Sequence, residues 1–182
     1  ENAGSSLTLT ATSSIAADED ITVTISTSGT GTEGTDYSTI SDITISAGAT
    51  TGTVSFTPTD DTVYEGNETG IVAISGVSGA DAAESGSQSV TITITENDSS
   101  PTITLTSSAS SIAENAGTSL TLTATSSIVA DEDITVTIST TGTGTEGTDY
   151  GTISDITISA GDTTGTASFT PTDDSVYEGN ET

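Results

Sequence analysis

The 182-residue chain contains no Lys, Arg, His, Cys, Met or Trp. Without Cys there are no disulfides, no thiolate chemistry and no sulfur-ligated zinc. Without Lys or Arg no basic side chain can pair with a phosphate, so nucleic acid and anionic membrane surfaces are expected to be poor partners. No stretch is apolar enough to span a bilayer, and no charged n-region and apolar h-region open the chain. Catalysis loses most of its instruments as well: with His, Cys and Lys missing, only carboxylate pairs remain. Such a pair needs a cleft and one elevated pKa, whereas the acids here crowd into loops. Asp162-Thr163-Thr164-Gly165 is no protease signature, since Ala49 stands in its place in an earlier copy of the segment. The chain is expected not to be an enzyme.

What is present is acid and alternation. Asp and Glu total 27, giving a formal charge of −27 with no internal cation to offset it. Charge on that scale opposes compaction unless cations from solution gather at the carboxylates. Acidic disordered chains are poor in β-branched residues, but this one is full of Ile, Val and Thr in period-2 runs. It is therefore expected to fold. In a small domain without disulfides, a metal with oxygen ligands is the candidate staple.

A long repeat organises the sequence. Residues 1–69 and 114–182 align without a gap at a period of 113 residues. They differ only at Ser5/Thr118, Ala16/Val129, Ser28/Thr141, Ser38/Gly151, Ala49/Asp162, Val54/Ala167 and Thr62/Ser175. Solenoid repeats run to roughly 20–50 residues, so this period is that of a domain. Two domains are expected, over residues 1–98 and 99–182.

Strands follow from alternation. Ile103/Leu105 begin one, and Leu7/Leu9/Ala11, Ile21/Val23/Ile25, Ile43/Ile45, Val54/Phe56, Val72/Ile74 and Val90/Ile92/Ile94 give six more. Gly, Ser, Asn and Asp clusters bound them, and no helical periodicity appears. About seven short strands per period predict an all-β fold: tandem seven-stranded antiparallel β-sandwiches of immunoglobulin-like type. On this map the first domain lacks its opening strand and the second its last strands, as in a window onto a longer array. An odd strand count, with Pro101 stiffening a short linker, predicts head-to-tail joining.

The carboxylates gather on this map. The turn at Glu1, the loop ending at Asp36, the loop carrying Asp60, Asp61, Glu65 and Glu68, and the segment Glu96-Asn97-Asp98 are expected at one pole. Hard cations such as calcium take about 6–8 oxygen ligands. With no Lys or Arg, metal is the only strong local countercharge the sequence permits. Asp18-Glu19-Asp20 and Asp81/Glu84 are expected to be solvated, Asp81 at the opposite pole. Tyr37 and Tyr64 are expected to pack at the rim of the core beneath the loops. The N-x-[ST] matches at Asn67 and Asn97 fall inside the same acidic loops and are assigned to chance.

The ENAG turn, the GTEGTDY segment, the DDTVYEGNE loop and the closing VTITITEND resemble, in order and spacing, the Calx-beta domain. That family occurs in sodium–calcium exchangers, an integrin β subunit and very large bacterial surface proteins. The resemblance implies a calcium site in the loops at one end of a seven-strand sandwich. By motif position its ligands would be Glu1, Asp36, Asp60, Asp61, Glu65, Glu68 and the Glu96, Asn97, Asp98 segment. In the second copy they would be Glu114, Asp149, Asp173, Asp174, Glu178 and Glu181. Thr62 and Asn97 stand where calcium-sensing members often carry Asp, which implies fewer ions or weaker binding.

Two function classes follow. The leading one is a calcium-binding (Ca2+) structural repeat of an extracellular, cell-surface array, stalk or filament, with calcium rigidifying domains and junctions. Its partners would be neighbouring repeats of the same chain, or identical chains in a fibre. The alternative is an adhesin module that itself binds glycan, mineral or ice through the Thr-x-Thr runs. Near-identical copies favour the spacer, because a recognition domain would tend to differ from its neighbours.

Overall fold

The computed structural model describes residues 5–182. The chain divides into two units. One runs up to Asp61 and continues over Gly66–Asn97; the other comprises Thr62–Glu65 and Asp98–Thr182.

The first unit has six strands: β1 (Leu7–Thr12), β2 (Ile21–Gly29), β3 (Ile43–Ile45), β4 (Thr51–Phe56), β5 (Glu68–Ser78) and β6 (Ser89–Ile94). They form two antiparallel sheets, β1-β4 and β3-β2-β5-β6. Alternation places the side chains: Ile43 and Ile45 are buried while Thr44 between them is exposed, and Ile92 and Ile94 are buried around Thr93. Tyr37, Ile40, Phe56, Val72, Ile92 and Ile94 form one core cluster, and Leu9 and Val54 from the other sheet pack against it. Ile21, Val23, Ile43 and Ile45 form a second. Apolar faces of two sheets thus meet, as in a sandwich. Each fully buried side chain of this kind is worth about 1.5–3 kcal/mol.

Two local features shape this core. The β2–β5 register shifts between Thr24 and Ile25, and the Ile25 amide donates to Asp42 Oδ1 at 3.0 Å. A carboxylate thus satisfies the donor that the irregular ladder leaves over. Gly70 on β5 faces the buried Phe56 ring, and a Cβ there would sit 2.8 Å from Phe56 Cε2. The aromatic ring occupies the space that a side chain would need.

The second unit carries β7 (Ile103–Ser107), β8 (Leu120–Ser126), β9 (Ile134–Val136), β10 (Ile156–Ile158) and β11 (Thr164–Phe169). A single 3-10 turn at Glu114–Ala116 ends on Gly117 in the left-handed region. The sheets are β11-β8-β7 and β10-β9, around a core of Ala124, Ile156, Ile158 and Ala167. β9 ends at Val136, whereas its counterpart β2 continues to Gly29. The reason is pairing: beyond Val23, β2 is held by β5, and no described strand of the second unit takes that place. Every strand expected from alternation is present, six in one unit and five in the other among the described residues. Neither unit shows seven.

The tyrosines depart from expectation. Tyr37 is not at the rim: it is 1% exposed and stacks on Phe56 with centroids 4.6 Å apart. An aromatic pair of this kind adds about 0.5–1.5 kcal/mol beyond the area it buries. Tyr64 is half-buried. Its segment belongs to the second unit, where its amide donates to the Val129 carbonyl at 3.0 Å.

Candidate metal centre

The loop 141–150 sets the first ligand of the second unit. Its turn is closed on both sides: the Asp149 amide donates to the Thr145 carbonyl at 2.9 Å, and the Thr145 amide donates to Asp149 Oδ2 at 2.5 Å. The Thr172 amide donates to the Asp149 carbonyl at 2.9 Å, tying the turn to the segment that follows β11. Tyr150 next to it stacks on Phe169 at 4.9 Å. A buried aromatic thus anchors the acid that precedes it.

Glu178 and Glu181 approach Asp149 from the last loop. One carboxylate oxygen from each of Asp149, Glu178 and Glu181 lies within 4.8 Å of the others. Gly144 leaves room for this, since a Cβ there would stand 3.3 Å from Glu181 Oε2. Repulsion raises the Glu178 carboxyl above its ordinary 4.5, with Asp149 the largest cause, then desolvation, Asp174, Glu181 and Glu114. Glu181 is also raised, first by desolvation and then by Asp149 and Glu114. Glu114, from the 3-10 turn, accepts the Asp174 amide at 3.2 Å, and Asp174 Oδ1 in turn accepts the Val176 amide at 2.6 Å. Three segments distant in sequence therefore converge on one acidic site. Asp173 lies exposed beside them.

The first unit reproduces part of this geometry. Asp36 Oδ2 accepts the Thr32 amide at 2.5 Å, and the Thr59 amide donates to the Asp36 carbonyl at 2.9 Å. Asp36 is only 7% exposed. It and Glu68 offer oxygens within 4.8 Å of each other, and Glu68 Oε2 is shut off from solvent. Gly31 stands to Glu68 as Gly144 does to Glu181, again at 3.3 Å. Shifted by the period, Asp36, Glu65 and Glu68 are Asp149, Glu178 and Glu181.

The remaining candidates build the surroundings. Glu96 Oε2 accepts the Gly66 amide at 2.9 Å, and the Glu96 amide donates to Asn67 Oδ1 at 3.0 Å. Asn97 Nδ2 donates to Asp60 Oδ1 at 2.9 Å, so in this structure the amide nitrogen steers Asp60. Asp61 is exposed at the end of the first unit's opening segment. Glu65 and Asp98 belong to the second unit, where Asp98 Oδ2 is shut off from solvent. Glu1 lies outside the described residues.

Other acids have structural uses that composition did not reveal. Asp20 Oδ1 accepts the Ala47 amide, Glu19 Oε1 the Ala80 amide and Glu84 Oε1 the Gln88 amide, at 2.6–2.8 Å. Glu33 accepts both Thr27 Oγ1 and the Ile40 amide at 2.6 Å. These carboxylates, expected to be merely solvated or passed over, close loops by accepting backbone N–H groups. The same uses recur one period on, where Asp20, Asp42 and Glu33 stand as Asp133, Asp155 and Glu146 and the Ala160 and Ile138 amides repeat the first two bonds.

The donor set of the convergent site is all carboxylate oxygen. Such a set suits a hard divalent cation. With no cationic side chain in the sequence, nothing in the protein itself neutralises it.

A family model described as Calx-beta domain matches residues 1–98 and, a second time, 96–182. Among solved structures, the crystal structure of CBD12 from CALX1.2 is similar over 91% of this chain and 68% of that one, at 17% identity and a TM-score of 0.43. The crystal structure of calcium binding domain CBD12 of CALX1.1 is similar over 92% and 69%, at 16% identity and a TM-score of 0.43. No curated protein sequence matches the chain.

Proposed function

The chain belongs to the Calx-beta domain family, and from that premise we propose that its two units are calcium-binding structural repeats. One observation carries the reading. Asp149, Glu178 and Glu181 bring three carboxylate oxygens together, and the same positions one period earlier are again Asp36, Glu65 and Glu68. A surface acid that merely keeps a protein soluble has no reason to converge with two others, because convergence is repulsive.

In this reading Asp149, Glu178 and Glu181 hold the ion in the second unit, with Glu114, Asp173 and Asp174 beside them. Asp36 and Glu68, with Asp60, Asp61 and Glu96 beside them, serve the first, and Asn97 orients Asp60; Glu65 and Asp98 keep their proposed ligand role by sequence position alone. A bound cation supplies the positive charge that the sequence withholds. It ties the 141–150 loop to the segment after β11, so the metal acts on folding and stiffness rather than on a reaction. The chain acts as a spacer in an extracellular array, stalk or filament of the cell surface, its neighbours being repeats of the same kind.

Calcium titration by calorimetry tests the reading. Saturable heat should appear for the intact chain and fall when Asp149→Asn and Glu178→Gln are introduced together. The same heat in the variant would overturn the assignment.

A further inference from the structure

One acid of the GTEGTDY segment has no place among the ligands. Glu33 stands three residues before Asp36, in the turn that presents it. It is half-buried, and the sequence holds no basic side chain to pair with it. Both of its oxygens are taken by donors of the chain itself. Oε2 accepts Thr27 Oγ1 at 2.6 Å, and Oε1 accepts the Ile40 amide at 2.6 Å. Thr27 belongs to β2, and Ile40 to the core cluster around Phe56. One carboxylate therefore ties the two ends of the 28–39 loop together.

Asp36 is fixed inside this closed loop. The Gly34 amide donates to the Tyr37 carbonyl at 2.7 Å, and Glu33 and Tyr37 form a bridge. Tyr37 is held by its stack on Phe56, and the Asp36 carboxylate by the Thr32 amide. The turn is thus anchored twice, by a buried ring after Asp36 and by a carboxylate before it. From this we infer that Glu33 is a positioning residue for the calcium ligand Asp36: it braces the loop so that Asp36 meets Glu68, and acts through Asp36 instead of on the ion. The inference rests on the calcium reading proposed above. It accounts for an acid placed close to an acidic site, where charge alone is a cost. An ionised carboxylate accepts two donors at once, in bonds stronger than neutral ones. The second unit repeats one half of the brace, Thr140 Oγ1 donating to Glu146 Oε2 at 3.4 Å.

The test uses the full chain carrying Glu178→Gln and Glu181→Gln, so that calcium heat in calorimetry reports the first unit. Glu33→Ala loses both contacts. Glu33→Gln keeps both, its Oε1 accepting the Ile40 amide while its Nε2 donates to Thr27 Oγ1. Glu33→Ala should weaken calcium binding roughly ten-fold, the low end of the loss when an outer partner of a metal ligand is removed, and Glu33→Gln should restore it. Hydrogen exchange of β3 and β4 peptides in chelator should be the same in both variants, which separates bracing of the ligand from general stability. Unchanged affinity in a folded Glu33→Ala variant would overturn the proposal. So would a Glu33→Gln variant as weak as Glu33→Ala, because charge and not the brace would then be what matters. If Glu33→Ala does not fold, Thr27→Val removes one donor and keeps the β-branched shape; it should weaken binding several-fold, and unchanged affinity there would overturn the proposal as well. Absence of calcium heat before any change at Glu33 would overturn the calcium reading itself, and this inference with it.

Discussion

Consider removing two charges from one of two nearly identical sites. Glu178→Gln with Glu181→Gln keeps side-chain volume but leaves Asp149 as the only charge of its trio. Both acids are held above their ordinary titration range, Glu178 first by Asp149 and Glu181 first by desolvation and then by Asp149, so in chelator the substitutions should stabilise the second unit. In calcium they should do the opposite, by deleting the ligand set. For the unsubstituted chain, free calcium at a hundred times Kd adds about 2.7 kcal/mol. That slows globally governed amide exchange roughly 100-fold, since each 1.4 kcal/mol is about a factor of ten. For a unit of this size it raises the melting temperature by roughly 10–20 °C, at about 4–8 °C per kcal/mol. Hydrogen exchange read by mass spectrometry separates the units, using β8 and β11 peptides for one and β2 and β5 peptides for the other. Calcium should slow exchange in both units of the unsubstituted chain, and only in the first unit of the variant. If calcium protects β8 and β11 equally in both proteins, the trio is not the ligand set. If it protects neither unit in the unsubstituted chain, calcium is not a structural ligand.

Other perturbations follow from the same contacts. Because Glu178 and Glu181 are raised, the folded state binds more protons than the unfolded one above pH 4.5. Metal-free stability should then fall as pH rises through that window and return on acidification; thermal melts in chelator should show this slope, flattened by the double Gln substitution. Gly70→Ala should cost about 1–3 kcal/mol by driving a Cβ into Phe56, read as a lower denaturation midpoint for the first unit. Asp42→Ala should cost about 1 kcal/mol by stripping the Ile25 amide of its acceptor, and Asp155→Ala should do the same to Ile138 in the second unit. Asp81→Asn removes a charge beyond the far end of β5, about 33 Å along the strand from Glu68, and calcium titration should find its affinity unchanged where Asp149→Asn weakens it.

The strands were legible in the sequence because alternation is a local code. Ile43-Thr44-Ile45 reads the same in the chain as in the sheet, since a period of two residues needs no knowledge of what lies opposite. The missing basic residues were equally decisive: they removed every internal countercharge before any geometry was known. The repeat made the two acidic loop sets visible by showing them twice.

What the sequence could not rank was the acids. Asp36, Asp42 and Glu33 look alike in a string, and only the fold aims Asp36 at Glu68 while turning Asp42 toward a displaced amide at a bulge. Tyr37 and Tyr64 each stand beside acidic loops, yet one stacks inside a core on Phe56 and the other extends its backbone along Val129–Asp131. Even Gly31 and Gly144 show their purpose only when the carboxylate that occupies their missing side chain's space is in place. The difference is physical. Alternation depends on neighbours in the chain, whereas the use of a carboxylate depends on which N–H, ring or second carboxylate the sheets bring within about 3–5 Å of it.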